Sequence, residues 1–288
     1  METIGKREIL SYLSNFDTPD KATNSQIRQD AGHVVQNFLE LARKIAALQF
    51  KNPQYVFLFR GQDTDYRNQK KSSTLKPSLF RPKRNNPKLP TPELLAQRFH
   101  FLAQAERRLV TRYEQVSEFE GALKLKRQRI LRWSLLQHYE ICFTPLLDVT
   151  QSLRVAASFA TKPNAKKAFI YVLGVPNLSG SLTANAEAGL QIVRLSGVCP
   201  PVAVRPHIQE GYLLGEYPDM PDFDQKQHYP HFEIDFGRRV IAKFVFNPLT
   251  FWDDTDFPMI GNAALYPDEH DLMFDLADEL KAQLGLQE

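Results

Sequence analysis

Cysteine is scarce in this chain: Cys142 and Cys199 are the two among 288 residues. Two thiols in apolar surroundings make neither a disulfide framework nor a cysteine-based zinc cluster, and they fit reduced core residues of a cytoplasmic protein. Long apolar runs are also missing. No stretch approaches the roughly 18 residues of a membrane span, so no membrane role is expected. The opening METIGKREILSYLSNF lacks an apolar core with a small-residue cleavage site, so no signal peptide is expected either. Internal repeats and low-complexity linkers are absent. Net charge is small, +3, but unevenly spread: residues 66–84, YRNQKKSSTLKPSLFRPKR, hold seven Lys or Arg and no acid, whereas the chain from Asp253 onward is acidic. A local basic face suits an anionic ligand, either a nucleotide diphosphate or a nucleic-acid backbone. A solvated surface loop would look the same.

With 43% apolar and 24% charged residues the composition is that of an ordinary globular protein. HVVQNFLELARKIAALQF (33–50) has helical spacing of apolar residues, and QYVFLFRGQ (54–62) reads as a buried strand. Residues 63–92 are polar, basic and proline-bearing, a long loop. A helical pattern follows to about residue 136, with Gly121 dividing it in two. FTPLLDVT and SLRVAASFA read as a strand leading into a helix. Strands are expected in 166–175, 188–197, 202–217 and 238–248, and a terminal helix in 269–284. Helices come mainly first and strands mainly second, which implies one α+β domain with a helical N-terminal portion. Residues 1–29 are read as an N-terminal extension, and about 92–136 as a helical insertion in the domain 30–288.

The candidate chemistry sits at a few points. Arg60 ends the most apolar strand and is costly to bury without a carboxylate or phosphate partner; Gly61 after it admits close approach of a ligand or of another backbone. A structural ion pair satisfies Arg60 equally well. Thr150 and Ser152 fall where a strand becomes a helix, the place for a ligand hydroxyl contact and equally for a helix cap. His138 and Tyr139 precede that strand, with a hydrogen-bonded interior histidine as the plainer reading. Gln209 and Glu210 lie before Gly211 and Tyr212, where a surface turn with one exposed carboxylate is the plainer reading. In HYPHFEID (228–235), His231, Glu233 and Asp235 alternate onto one face of a strand, a pattern open to a metal as well as to solvent. It matches no recognised ligand motif, and no metal is assigned.

Taken in order, FLFRGQDTDYRNQKKSSTLKPSLFR, LLQHYEICFTPLLDVTQSLRVAASFA, RPHIQEGYLL and ALYPDEHDL resemble the FRG-domain family, named for Phe-Arg-Gly, here Phe59, Arg60 and Gly61. The resemblance runs over roughly residues 30–285. Glu140 and Pro145 depart from it, standing where the family more often has glycine and arginine. A more distant resemblance is to ADP-ribosyltransferases. Their order of an arginine strand, a hydroxyl-bearing strand into a helix, and a late glutamate is similar to Arg60, then Thr150 and Ser152, then Gln209 and Glu210. In those enzymes the glutamate follows two positions after a Gln or Glu, where this chain has Gly211.

That second resemblance implies a mixed β core of ADP-ribosyltransferase type, with NAD as substrate. It implies that Arg60 and Gly61 hold the diphosphate side. Thr150 or Ser152 would meet the nicotinamide-side ribose, with His138 and Gln209 in the wall, and Tyr139 or Tyr212 would stack on the nicotinamide. Glu210 would stabilise the oxocarbenium-like sugar formed as the glycosidic bond breaks, with Glu233 as the second choice. The acceptor is a protein, a nucleic acid or water, with segment 66–84 suited to nucleic acid. The family resemblance also points to a toxin or phage-defence effector. The alternative is a non-catalytic module that binds a nucleotide or nucleic acid.

Overall fold

A computed structural model describes residues 1–6, 8–82, 89–228, 234–253, 256–268 and 271–285. In chain order its strands are β1 (Ile9–Ser11), β2 (Asp20–Ala22), β3 (His33–Val34), β4 (Val56–Gln62), β5 (Leu147–Thr150), β6 (Ala168–Val175), β7 (Leu182–Asn185), β8 (Leu190–Arg194), β9 (Gly211–Glu216) and β10 (Val240–Phe246). Its α-helices are α1 (Asn24–Gln29), α2 (Phe38–Lys51), α3 (Pro92–Tyr113), α4 (Ala122–Arg127), α5 (Arg129–His138), α6 (Leu153–Ala160), α7 (Arg205–Ile208), α8 (Phe223–Gln227), α9 (Pro248–Phe251), α10 (Asn262–Leu265) and α11 (Leu272–Gln283). None of the helices is long and apolar enough to cross a membrane, among the described residues. The chain divides into two compact units: residues 1–75, 149–179 and 235–265 in the first, and 76–148, 180–234 and 266–288 in the second.

The first unit is built on a mixed sheet. Strand β10 runs parallel to β3 and antiparallel to β6, β6 pairs along the length of β4, and Phe59 of β4 faces Thr150 of β5. All seven residues of β10 are buried, as are seven of the eight in β6. Strands covered on both faces carry continuous apolar runs, which is why the sequence marks them so clearly. Helix α2 buries Phe38, Leu41, Ile45 and Leu48. It starts later than its apolar pattern does, because Asn37 caps it and His33–Val34 are drawn into the sheet beside β10.

Residues 1–29 are an integral part of this unit and no extension. Ile4, Ile9, Tyr12, Ala22 and Ile27 are buried, and the Asn24 side chain donates to the carbonyls of Gly237 and Val240. Thr23 and Gln26 form a capping box on α1. The sequence pattern hides this because the hairpin strands are only three residues each.

In the second unit, Thr91 and Pro92 start the long helix α3, and Gly121, at φ 84°, opens α4. The helical stretch is thus broken before Gly121 as expected, but into three helices rather than two, because α3 ends at Tyr113 and Gln128 separates α4 from α5. Glu106 ties α3 to α5: its buried carboxylate accepts from Trp133 Nε1 at 2.8 Å and Arg132 Nε at 2.7 Å. Strands β9, β8 and β7 form an antiparallel sheet in that order. Residues 205–208, expected as strand, are the short helix α7: Pro206 in its first turn has no amide to give a ladder, and its fixed φ suits a helix start.

Candidate functional site

In the first unit, Arg60 and Gly61 stand on β4 and are half-buried. A Cβ on Gly61 would lie 1.8 Å from the carbonyl oxygen of Ala156, so β4 and α6 approach so closely that only glycine fits. Of the two uses open to this glycine, backbone packing is the one realised here. Thr150 is buried, and its hydroxyl accepts the Ser152 amide at 3.0 Å; Ser152 in turn caps α6 by accepting from the Val155 amide. Both hydroxyls thus shape the strand-to-helix turn.

The basic stretch is less free than its charge implies. Arg67 pairs with Asp65 and donates to the carbonyls of Gln29, Asp30 and Lys71. Asn68 closes the turn onto Lys70 and Ser72, and Ser72, Ser73 and Leu75 are buried. Beneath it lies Lys243, 1% exposed, donating to Asp65 at 3.1 Å, to Ser73 at 3.0 Å and to the Asp30 carbonyl. Tyr171 donates to the other oxygen of Asp65 at 2.7 Å. Burial raises the Asp65 pKa, but hydrogen bonds from Ser73 and Tyr171 and the charge of Lys243 outweigh it and hold the carboxyl below its ordinary value. Burial also lowers Lys243 and raises Tyr171. Lys83 and Arg84 lie outside the described residues.

In the second unit, His138 and Tyr139 close α5, and both are interior. Tyr139 has no exposed surface, and its hydroxyl donates to Asp271 at 2.8 Å. Tyr212 is also buried, so neither tyrosine presents an open ring face for stacking. Burial, reinforced by the Arg205 charge, pushes His138 down to about 3, so the imidazole is neutral across the working pH range. Its Nε2 is buried and has no hydrogen-bond partner among the described residues. A neutral interior ring of this kind is no proton donor at neutral pH.

Arg205 is the hub of this region, and Asp271 is its counterpart. The guanidinium is 4% exposed and lies over the rings of Tyr139, Tyr266 and Phe274 at 5.1, 5.0 and 5.4 Å. It pairs with Asp268 at 2.5 Å and donates to the His138 carbonyl at 3.3 Å. The Asp271 carboxylate accepts from the amides of Val204 at 3.1 Å and Arg205 at 2.9 Å, and from Met273, which it caps at the start of α11. These contacts hold the N-terminus of α7, and four residues further on the chain turns into β9. At that turn Gln209 is buried, while Glu210 is exposed and held at φ 44°, a left-handed conformation rare for a non-glycine residue. Gly211 follows; a Cβ there would meet Leu195 Cδ1 at 2.8 Å and His138 Cε1 at 3.6 Å. Sequence reasoning singled out Gln209, Glu210 and Tyr212 but not Arg205 or Asp271. Their only signal was membership of the quoted RPHIQE and YPDEHD stretches.

His231 and Glu233 lie outside the described residues, and Asp235 is committed to Arg28 and to the Leu75 amide. Among the described residues no cluster of three potential ligands for a metal ion occurs.

Residues 56–168 match the model of the FRG domain. That stretch of the chain is similar to the FRG domain. The match starts with β4 and ends at the first residue of β6, a narrower span than residues 30–285 where the resemblance runs. Neither the comparison with curated proteins nor that with solved structures finds a match. Within the matched stretch lie Arg60, Gly61, His138, Tyr139, Thr150 and Ser152; Gln209, Glu210 and Tyr212 follow it. Glu140, standing where the family more often has glycine, adopts φ 53°. That backbone conformation suits glycine, and the glutamate occupies it at some cost in strain.

Proposed function

We propose that the chain is an ADP-ribosyltransferase-like enzyme that breaks the nicotinamide glycosidic bond of NAD⁺ and passes ADP-ribose to a macromolecule or to water. The observation that carries this reading is Glu210: an exposed carboxylate at φ 44°, on a turn anchored by buried polar contacts. Strained non-glycine residues persist where the surroundings over-determine them, and they gather at active sites. As the C–N bond breaks, its electron pair leaves with nicotinamide and the ribose becomes cationic; a fixed carboxylate lowers the energy of that cation. The nucleophile of the acceptor then adds to the same carbon and loses its proton. By the sequence resemblance alone, Arg60 is the residue expected to meet the diphosphate. The mixed sheet of the first unit is compatible with a β core of ADP-ribosyltransferase type.

A second reading, a nucleotide-binding module without turnover, is favoured by one observation: Gly211 stands where the related motif has its glutamate. Nucleic acid is the weaker ligand for such a module, since Arg67 is spent on internal partners and leaves Lys70 and Lys71 as the exposed charges of that turn.

Nicotinamide release from NAD⁺ by the purified chain tests the first reading, with Arg60→Ala and Glu210→Gln alongside. Release abolished by both substitutions supports it. No release by the wild-type chain, with or without nucleic acid, sinks it and favours the binding module. Release that survives Glu210→Gln moves the carboxylate role to Glu233.

A further inference from the structure

We propose that Arg205 is a positioning residue for Glu210, locking the turn that presents the carboxylate without itself touching the substrate. The proposal rests on the reading of Glu210 given above and names how that group is held. Arg205 begins α7, and the amide of Gln209 returns to the Arg205 carbonyl at 3.1 Å, while that of Glu210 returns to His207 at 3.2 Å. Any rotation at residue 205 is therefore passed to residue 210 through one closed turn of backbone. Arg205 is fixed in turn from several directions. Asp271 takes its amide, Asp268 and the His138 carbonyl take its guanidinium, and three aromatic rings enclose the cation. A lysine keeps the charge but has no planar fork to bond two acceptors at once or to lie flat on a ring.

The His138 imidazole closes the arrangement from the other side, with Cε1 3.6 Å from where a Cβ on Gly211 would sit. The turn is thus held before Glu210 by Arg205 and after it by Gly211 against His138. Such a clasp is of use only if the direction of the intervening carboxylate matters. Misplacing a catalytic group by about 1 Å costs up to roughly a hundredfold in rate.

The test is a double-mutant cycle on nicotinamide release at saturating NAD⁺, with Arg205→Lys placed in the wild-type and Glu210→Gln backgrounds. Arg205→Lys is expected to lower kcat about tenfold or more, with the KM for NAD⁺ changed less than about twofold. In the Glu210→Gln background it is expected to have no further effect, because the residue it positions is already disabled. Equal losses in both backgrounds, or a change in KM alone, would make Arg205 a general support of the fold and overturn the proposal. If Arg205→Lys does not fold, Asp268→Asn removes the ion pair at a half-exposed residue and is read against the same expectations. A wild-type chain that releases no nicotinamide overturns this proposal together with the reading it rests on. A wild-type chain that does, with additive variants, overturns this one alone.

Discussion

The two units each bury a charged cluster, and the clusters are finished differently. Around Lys243 every polar atom of the group has a partner: the ammonium has Asp65, Ser73 and the Asp30 carbonyl, and both Asp65 oxygens are bonded. Around Arg205 the accounting is open. The guanidinium leans on aromatic rings, and among the described residues its Nε and the Nε2 of His138 are buried without a hydrogen bond. A satisfied network holds strands together and requires nothing beyond itself. Buried polar atoms without a partner among the described residues and a strained non-glycine residue are each costly, and this region has both.

The largest effect expected from this contrast is at Asp65. Asp65→Ala leaves Lys243 as a buried unpaired charge and should cost about 3–5 kcal/mol in denaturant unfolding. A loss below about 1 kcal/mol would mean the first cluster is no closed network. The glycines sharpen the comparison next. Gly61→Ala drives a methyl group into a backbone carbonyl, whereas at Gly211 the obstacle is the tip of the flexible Leu195 side chain. Unfolding midpoints should show Gly61→Ala losing about 3 kcal/mol, near the top of the overpacking range, and Gly211→Ala markedly less.

The third difference lies in pH. Folding holds His138 neutral down to about 3, while an unfolded histidine takes up its proton near the ordinary value of 6.5. Between those values the unfolded state binds more protons, so this group makes stability fall as pH falls through the window. The slope it contributes is about 1.4 kcal/mol per pH unit. His138→Gln should flatten the stability profile between pH 6.5 and 4; an unchanged slope would contradict the buried neutral ring. The smallest effect is expected at Glu140. Glu140→Gly relieves the left-handed strain, partly offset by the entropy of glycine in the unfolded chain, and should raise stability by about 1 kcal/mol. A destabilised variant would show that Glu140 makes contacts that outweigh its strain.

What the sequence made legible follows from how local each signal is. The buried strands β4, β6 and β10 announce themselves as apolar runs bounded by proline or turn residues, and α2 and α11 by their spacing. Gly121 is readable because a glycine between two amphipathic patterns has few other uses. By contrast, β7 is a short, half-exposed strand with no alternation, and the β1–β2 hairpin is too brief to form a pattern. At the site, Glu210 was legible as a residue but not as a conformation. Its left-handed φ belongs to a turn near which the Arg205 amide meets Asp271, 66 positions away, and Tyr139 meets the same carboxylate from 132 positions away. Pairings at that separation leave no trace in local composition. Ser152 was legible in both its possible roles, and only the α6 amides assign it to capping.

The central claim is that the Glu210 carboxylate does chemistry. The most direct measurement is the rate of nicotinamide release from NAD⁺ by the wild-type chain and by Glu210→Gln, with folding of both checked by thermal melting. The account predicts release by the wild type and a loss of about a hundredfold or more in a variant that melts normally. Equal rates for the two proteins, or no release from either, would contradict it.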